Sequence, residues 1–174
     1  MEKLFNQLSE SLLNNLNTGE HLKVTIGGEN SQFVRFSQSK VRQSGLVDDA
    51  SLSIVLIRDE RTCSGSFTLT GNITIDEATA MAELNRLRAE VGTLLKDPFV
   101  VMPGDTGSSR EEHNGSLINH ETAVSALSSA MQGVDMAGIW ASGRIFTGNA
   151  NSAGQKHWFA TDTFSLDYSL ITPN

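Results

Sequence analysis

Cysteine is almost missing from this sequence. Cys63 is the single one among 174 residues, so no intrachain disulfide can form, which agrees with a reducing compartment and points to the cytoplasm. Cys63 sits in an alternating stretch and reads as a small strand residue, with a reactive thiol as the alternative. Basic residues are also scarce: 13 Lys and Arg stand against 20 Asp and Glu, for a formal net charge of −7. An acidic surface repels phosphate backbones and anionic lipid, and the densest basic stretch, Arg86 to Arg88, falls on a helix. Direct nucleic-acid binding and membrane binding are therefore not expected. There is no run of eighteen apolar residues, and the start, Met1-Glu2-Lys3-Leu4-Phe5, opens an amphipathic helix and not a signal peptide.

What is present is an ordinary globular composition, 39% hydrophobic and 19% charged, in a chain long enough to bury a core without metal or disulfide. Leu4, Phe5, Leu8, Leu12, Leu13 and Leu16 share one face at helical spacing over residues 3–17, and Asn17-Thr18-Gly19 stops that helix. The period then becomes two. Leu22, Val24 and Ile26 alternate up to a turn at Gly27-Gly28. Strands follow at Phe33–Ser37, Lys40–Val47 and, after a turn at Asp48-Asp49, Ser51–Ile57. Arg58 to Arg61 reads as a hairpin turn into a strand in which Cys63, Gly65, Phe67 and Leu69 alternate with hydroxyl residues. Short connections of this kind require antiparallel neighbours.

A capping box at Thr74 and Glu77 predicts a helix to about Lys96, carrying Met81, Leu84, Leu87, Val91, Leu94 and Leu95 inward and ended by Asp97-Pro98. Residues 97–119 are the least regular part. Asn119 can cap a third helix to about Gly133, with Val124, Leu127 and Met131 inward. A strand over Met136–Phe146, a turn-rich stretch at 147–154 and a long alternation from Trp158 to Leu170 complete the pattern, with Trp158, Ala160, Phe164, Leu166, Tyr168 and Leu170 on one face. The expected fold is α+β, a largely antiparallel sheet with about three helices packed on one face, in a single domain spanning 1–174.

Local chemistry is meagre. His21, His113, His120 and His157 include no HExxH pair. Glu111-Glu112-His113 and His120-Glu121 read as a polar loop leading into a helix, with Glu121 complementing the helix dipole, so no metal site is expected. No G-x-S-x-G elbow exists, Cys63 has no recognisable histidine partner, and the glycines at 27, 28, 104 and 107 form no phosphate loop. No catalytic residue is assigned.

Four stretches, in order, resemble the N-terminal domain of the TldD/PmbA family. These are Arg35-Phe36-Ser37-Gln38-Ser39-Lys40-Val41-Arg42-Gln43, the hairpin Ile57 to Ser66, the Asp97-Pro98 helix exit, and Gly138-Ile139-Trp140-Ala141-Ser142-Gly143 followed by Asn151-Ser152-Ala153-Gly154. The resemblance covers most of residues 30–170. It implies an intracellular zinc metallopeptidase that trims or matures peptides, assembled as a homodimer or a heterodimer of paralogues. In that family zinc sits on a helical H-E-x-x-x-H motif with a further ligand from the C-terminal domain. Nothing here matches that motif, so no zinc or other cofactor is expected in this chain. The chain is expected to be part of a longer protein, ending at Pro173-Asn174 about where a catalytic half would begin, because Ile171 closes a strand with no capping element after it.

On this reading the domain walls a chamber that holds a peptide substrate and contributes dimer contacts, with Arg35, Gln43 and Arg144 as candidate peptide contacts and exposed strand polars as the alternative. Two other functions stay open. One is a stand-alone interaction module docking through a sheet edge or the loop at 103–118, and the other is a small-molecule enzyme using His113 and His120.

Overall fold

A computed structural model describes residues 1–172. Pro173 and Asn174, where the sequence reading places the border of a catalytic half, lie outside the described residues. The elements are α1 (Glu2–Asn14), β1 (Glu20–Ser37), β2 (Lys40–Arg58), β3 (Arg61–Thr68), α2 (Ile73–Val91), β4 (Ser108–His113), α3 (His120–Ala130), β5 (Asp135–Asn151) and β6 (Lys156–Ile171). The strands form one six-stranded sheet in the order β3-β2-β1-β5-β6-β4. The class is α+β, as expected.

Pairing is antiparallel wherever a short turn joins neighbours, and β2 meets β3 in register from Ser51↔Thr68 to Arg58↔Arg61. The β1–β2 and β2–β3 turns place Gln38, Ser39, Asp59 and Glu60 at positive φ, the conformation that two-residue hairpins require. The edge strand β4 differs. Gly107 O accepts from Lys156 N, Ser109 Oγ meets His157 Nδ1, and Gly115 N donates to Asp162 Oδ2. Partner numbers rise together, so β4 runs the same way as β6.

The chain groups into two compact units, and β1, β2, β4, β5 and β6 each pass from one to the other. The first comprises residues 1–28, 49–111 and 146–159. Its core takes Phe5, Leu8 and Leu12 from α1, Leu22, Val24 and Ile26 from β1, Leu52, Ile54 and Leu56 from β2, and Leu84, Leu87 and Val91 from α2. Burying each such side chain contributes about 1.5–3 kcal/mol. Trp158 stacks with Phe5 at 6.1 Å and Phe146 at 5.6 Å between ring centroids. The second unit comprises 29–48, 112–145 and the described residues from 160 onward. Val34 and Phe36 of β1 pack there with Ala123, Leu127 and Met131 of the third helix region and with Met136 and Trp140 of β5.

Several boundaries depart from expectation. Gly27-Gly28 and Asp48-Asp49 are not turns; both pairs lie inside long strands. Turn propensity is local, and here cross-strand pairing overrides it, with Asp48 and Asp49 exposed so that their charges stay solvated. Asn72, not Thr74, caps α2: its Oδ1 accepts from Thr74 N and Ile75 N, while Glu77 accepts from Ser11 Oγ. Helix α2 stops at Val91, ahead of Gly92 and well short of Lys96, leaving Leu95 exposed. The strand β4 falls within the stretch read as irregular, because its sequence, Ser-Ser-Arg-Glu-Glu-His, has no apolar alternation. The far half of β6 keeps its alternation but not its burial: Phe164, Leu166, Tyr168 and Leu170 are all exposed.

Candidate functional site

Motif residues explain architecture before chemistry. A Cβ on Gly138 would lie 2.2 Å from Asp167 O, and one on Gly143 would lie 2.4 Å from both Asn30 O and Ser31 Cα, so only glycine lets these strands approach. Ser142 is buried and accepts from Gln32 Nε2 at 3.3 Å. Asn151 organises the β5–β6 turn. Its Oδ1 accepts from Ala153 N and Gln155 N, and its Nδ2 donates to Gly104 O and Gln155 Oε1. Ser152 accepts from Leu22 N through Oγ and donates through its backbone to Leu22 O. Every polar atom of the Asn151 side chain is thereby occupied within the protein.

The three residues expected to touch peptide occupy two places in the second unit. Arg35 and Gln43 face each other on the exposed β1–β2 hairpin, with Arg35 Nη1 donating to Gln43 Oε1 at 3.4 Å and the guanidinium 5.7 Å from the Phe33 ring centroid. Arg144 stands elsewhere. Gly143 lies against Asn30 and Ser31, which puts Arg144 about 15 Å along β1 from Arg35 at the ordinary strand rise. Its guanidinium contacts Asn114 Oδ1 at 3.0 Å, Asp162 Oδ1 at 3.1 Å and Glu112 Oε1 at 3.3 Å. Asp162 also accepts from Gly115 N at 3.0 Å, and that bond, with the Arg144 guanidinium beside it, holds its carboxyl below the usual carboxylate range. Arg144 therefore staples residues 112–115 to β6. Gln32 Nε2 adds a bond to Ile118 O at 2.9 Å. The segment walls a small apolar cavity of about 190 Å³ between Leu117, Ile118, Trp140 and Phe164, with Ser142 at its side.

The histidines do not converge. His113 is exposed on β4, and His120 opens α3 with a buried Nδ1 that has no partner. Among the described residues no group of three His, Cys, Asp or Glu side chains is placed to hold a metal ion. Cys63 is buried, its thiol donates to Leu87 O at 3.3 Å, and burial pushes its pKa up, with the nearby Glu90 charge adding to the shift. It is held as a thiol and not as a nucleophilic thiolate.

Two larger cavities lie in the first unit. One, of about 340 Å³, runs beneath residues 101–104, with Lys23, Thr25, Asn149 and Gln155 among its polar lining. The other, of about 300 Å³, opens beside the N-terminus of α1, between Asn6, Ser108, Arg110, Lys156 and Trp158. Sequence reasoning found neither, since each draws on residues more than fifty positions apart.

Three solved structures match almost the whole chain. A candidate modulator of DNA gyrase from Bacteroides thetaiotaomicron aligns over 97% of this chain with a TM-score of 0.65 and 16% identity. A second, from Thermotoga maritima, aligns over 97% with a TM-score of 0.58 and 14% identity. TldE from Thermococcus kodakarensis aligns over 98% with a TM-score of 0.60 and 12% identity. The chain has the TldE fold. It spans only 42%, 40% and 42% of the Thermotoga, Bacteroides and Thermococcus chains respectively. No family profile matches the chain, and no curated relative matches it by sequence. The strand order and packing agree with the fold that the motif resemblance implies. In this TldE-like chain no helix is long and apolar enough to cross a membrane among the described residues.

Proposed function

We propose that this chain is the non-catalytic N-terminal domain of a TldD/PmbA-type metallopeptidase, a cytoplasmic peptide-processing protein in which it walls the substrate chamber and supplies dimer contacts. The observation that carries this reading is the pairing of an ordered motif set with the TldE fold over 98% of the chain. The residues present do not fit zinc, because the sequence has no H-E-x-x-x-H helix and no group of three metal-capable side chains meets among the described residues. The metal and the hydrolytic groups belong, on this reading, to polypeptide outside residues 1–174. Arg35 and Gln43, exposed and lightly paired, are the better placed of the candidate peptide contacts; Arg144 contributes by holding the 112–115 segment in position.

The test is metal analysis and a peptide-cleavage assay on the purified chain. No stoichiometric zinc and no cleavage are expected, and one tightly held zinc per chain would overturn the reading. Sequencing the reading frame beyond Asn174 adds an independent arm, with a downstream H-E-x-x-x-H expected. An immediate stop codon would favour the alternative, a stand-alone interaction module.

A further inference from the structure

We propose that two copies of this chain join edge to edge through β6, with residues 165–171 pairing antiparallel and Tyr168 on the two-fold axis. The proposal rests on the dimer contacts of the reading above and gives them a place; the outcome of the zinc and cleavage tests leaves it untouched.

The edge itself is unguarded. Strand β4 follows β6 as far as Asp162, whose Oδ2 accepts from Gly115 N at 3.0 Å. Every residue from Thr163 to Ile171 is exposed, and past β4 no strand lies beside their outer side among the described residues. Sheet edges are ordinarily protected from pairing by charge, proline or a bulge. On this sheet β4 has Arg110, Glu111 and Glu112 within six residues, and β3 has one large apolar side chain, Phe67, in eight. Residues 163–171 instead hold Phe164, Leu166, Tyr168, Leu170 and Ile171, with no proline, glycine or lysine and with Asp167 as the single charge.

Backbone direction decides what can pair there. A Cβ on Gly138 of β5 would strike Asp167 O, so Asp167 turns its carbonyl toward β5. Alternate residues of an antiparallel ladder bond to alternate sides, so Leu166, Tyr168 and Leu170 present N–H and C=O to the open edge. The start of β6 has the same parity, with Gln155 O accepting from Asn151 N on β5 and Lys156 N donating to Gly107 O on the other side. The residues with outward backbone groups are thus those of the apolar row. Row must meet row, and both rows then lie on one face of the joined sheet.

Three registers of this kind use most of the free stretch. An axis at Asp167 sets two carboxylates directly opposite each other, which is destabilising. An axis at Leu166 drives Leu170 and Ile171 of one copy against Asp162 and Thr161 of the other, where Gly115 already stands. An axis at Tyr168 pairs Leu166 with Leu170, Tyr168 with its own copy and Asp167 with Ser169, and neither copy meets β4. The segment is therefore complementary to itself in apolar order and in charge, which selects a second copy as its occupant. The five side chains, between 43% and 69% exposed, offer about 500 Å² per copy, so with the strand edge the pair reaches about 1,200 Å² in total, the lower end of specific interfaces. A reversible dimer is expected.

The experiment is sedimentation equilibrium of the chain and its variants over about 1–100 μM, a range that brackets a Kd near 10 μM. The parent should dimerise. Tyr168→Lys and Tyr168→Glu each set like charges face to face on the axis and should each weaken self-association about a hundredfold. An equimolar mixture of the two should form a heterodimer, a rescue that a folding defect in either variant would not give. Directly opposite residues of a bonded pair have Cα atoms about 5.5 Å apart, within disulfide reach, so Tyr168→Cys should link to its own copy under mild oxidation and Leu166→Cys should not. A parent that stays monomeric throughout the range overturns the proposal, as does a mixture that stays monomeric or a Leu166→Cys link that forms faster than the Tyr168→Cys link. A dimer that Tyr168→Lys leaves intact overturns this edge alone and spares the dimeric peptidase reading.

Discussion

Gly27 and Gly28 are neighbours in β1, yet a methyl group added to each meets a different fate. At Gly27 it finds nothing within 4 Å. At Gly28 it would lie 2.3 Å from Asp49 O, 2.6 Å from the Phe146 ring and 2.8 Å from Ala50 Cα. Two of those atoms are backbone in the paired strand and cannot step aside. Gly28→Ala should therefore cost about 2 kcal/mol or more, while Gly27→Ala should stay within about 0.5 kcal/mol of the parent. Denaturant midpoints of the two variants check this, and equal midpoints would mean that the strands are not crossed this closely. At the same scale Arg144 shows how a residue chosen for chemistry can be taken up by structure: two carboxylates and an amide already occupy its guanidinium.

Between elements, Glu20 is the clasp. It begins β1 with its side chain fully buried and accepts from Arg88 Nε and Nη2 of α2 at 3.1 and 2.9 Å. It also accepts from Asn17 N at 2.9 Å, and Arg58 Nη1 of β2 lies 3.7 Å away. Arg88 in turn donates to Asn15 O, at the end of α1. One carboxylate thus joins the two helices to the first two strands. Burial alone would raise its pKa, but the Arg88 and Asn17 hydrogen bonds outweigh burial and hold it below its ordinary value of 4.5. A carboxylate depressed in the folded state contributes stability that is fully present above the unfolded pKa. That contribution is lost as pH falls through the folded value. Glu20→Gln should cost about 3 kcal/mol at pH 7, because Arg88 keeps its burial and loses its counter-charge. As pH falls through and below the ordinary carboxylate range, the variant's stability should fall less steeply than the parent's. Thermal melts across that range measure both effects, and parallel slopes would show that Glu20 is not the titrating clasp.

For the whole molecule, the exposed half of β6 is the feature that a free-standing domain leaves unexplained. Phe164 is 69% exposed, and Leu166, Tyr168 and Leu170 follow it along the same side. Beyond Asp162, past the reach of β4, the outer edge of β6 has no neighbouring strand among the described residues. If this row supplies the dimer contacts proposed above, Phe164→Ser with Tyr168→Ser should change monomer stability by less than about 0.5 kcal/mol while lowering the sedimentation coefficient of the assembled protein. An unchanged sedimentation profile would exclude the row from the assembly interface.

The sequence by itself determined the class of the fold and most of its elements. The 3.6 and 2 periodicities locate α1, α3, β3 and the β5–β6 hairpin from residue order alone, because each element must bury one face. The same order of motifs pointed to the TldD/PmbA fold. It also showed that local chemistry was thin. What only the tertiary structure decided is where local signals lose. Gly27-Gly28 and Asp48-Asp49 carry turn chemistry but lie in strands, since pairing across the sheet outweighs a weak local preference. The charged stretch Ser108–His113 becomes an edge strand because β6 offers it hydrogen bonds that no pattern in its own sequence announces. The cavity between Glu2, Ser108, Lys156 and Trp158 forms only when segments about 150 residues apart meet, because a cavity depends on distance in space and not along the chain.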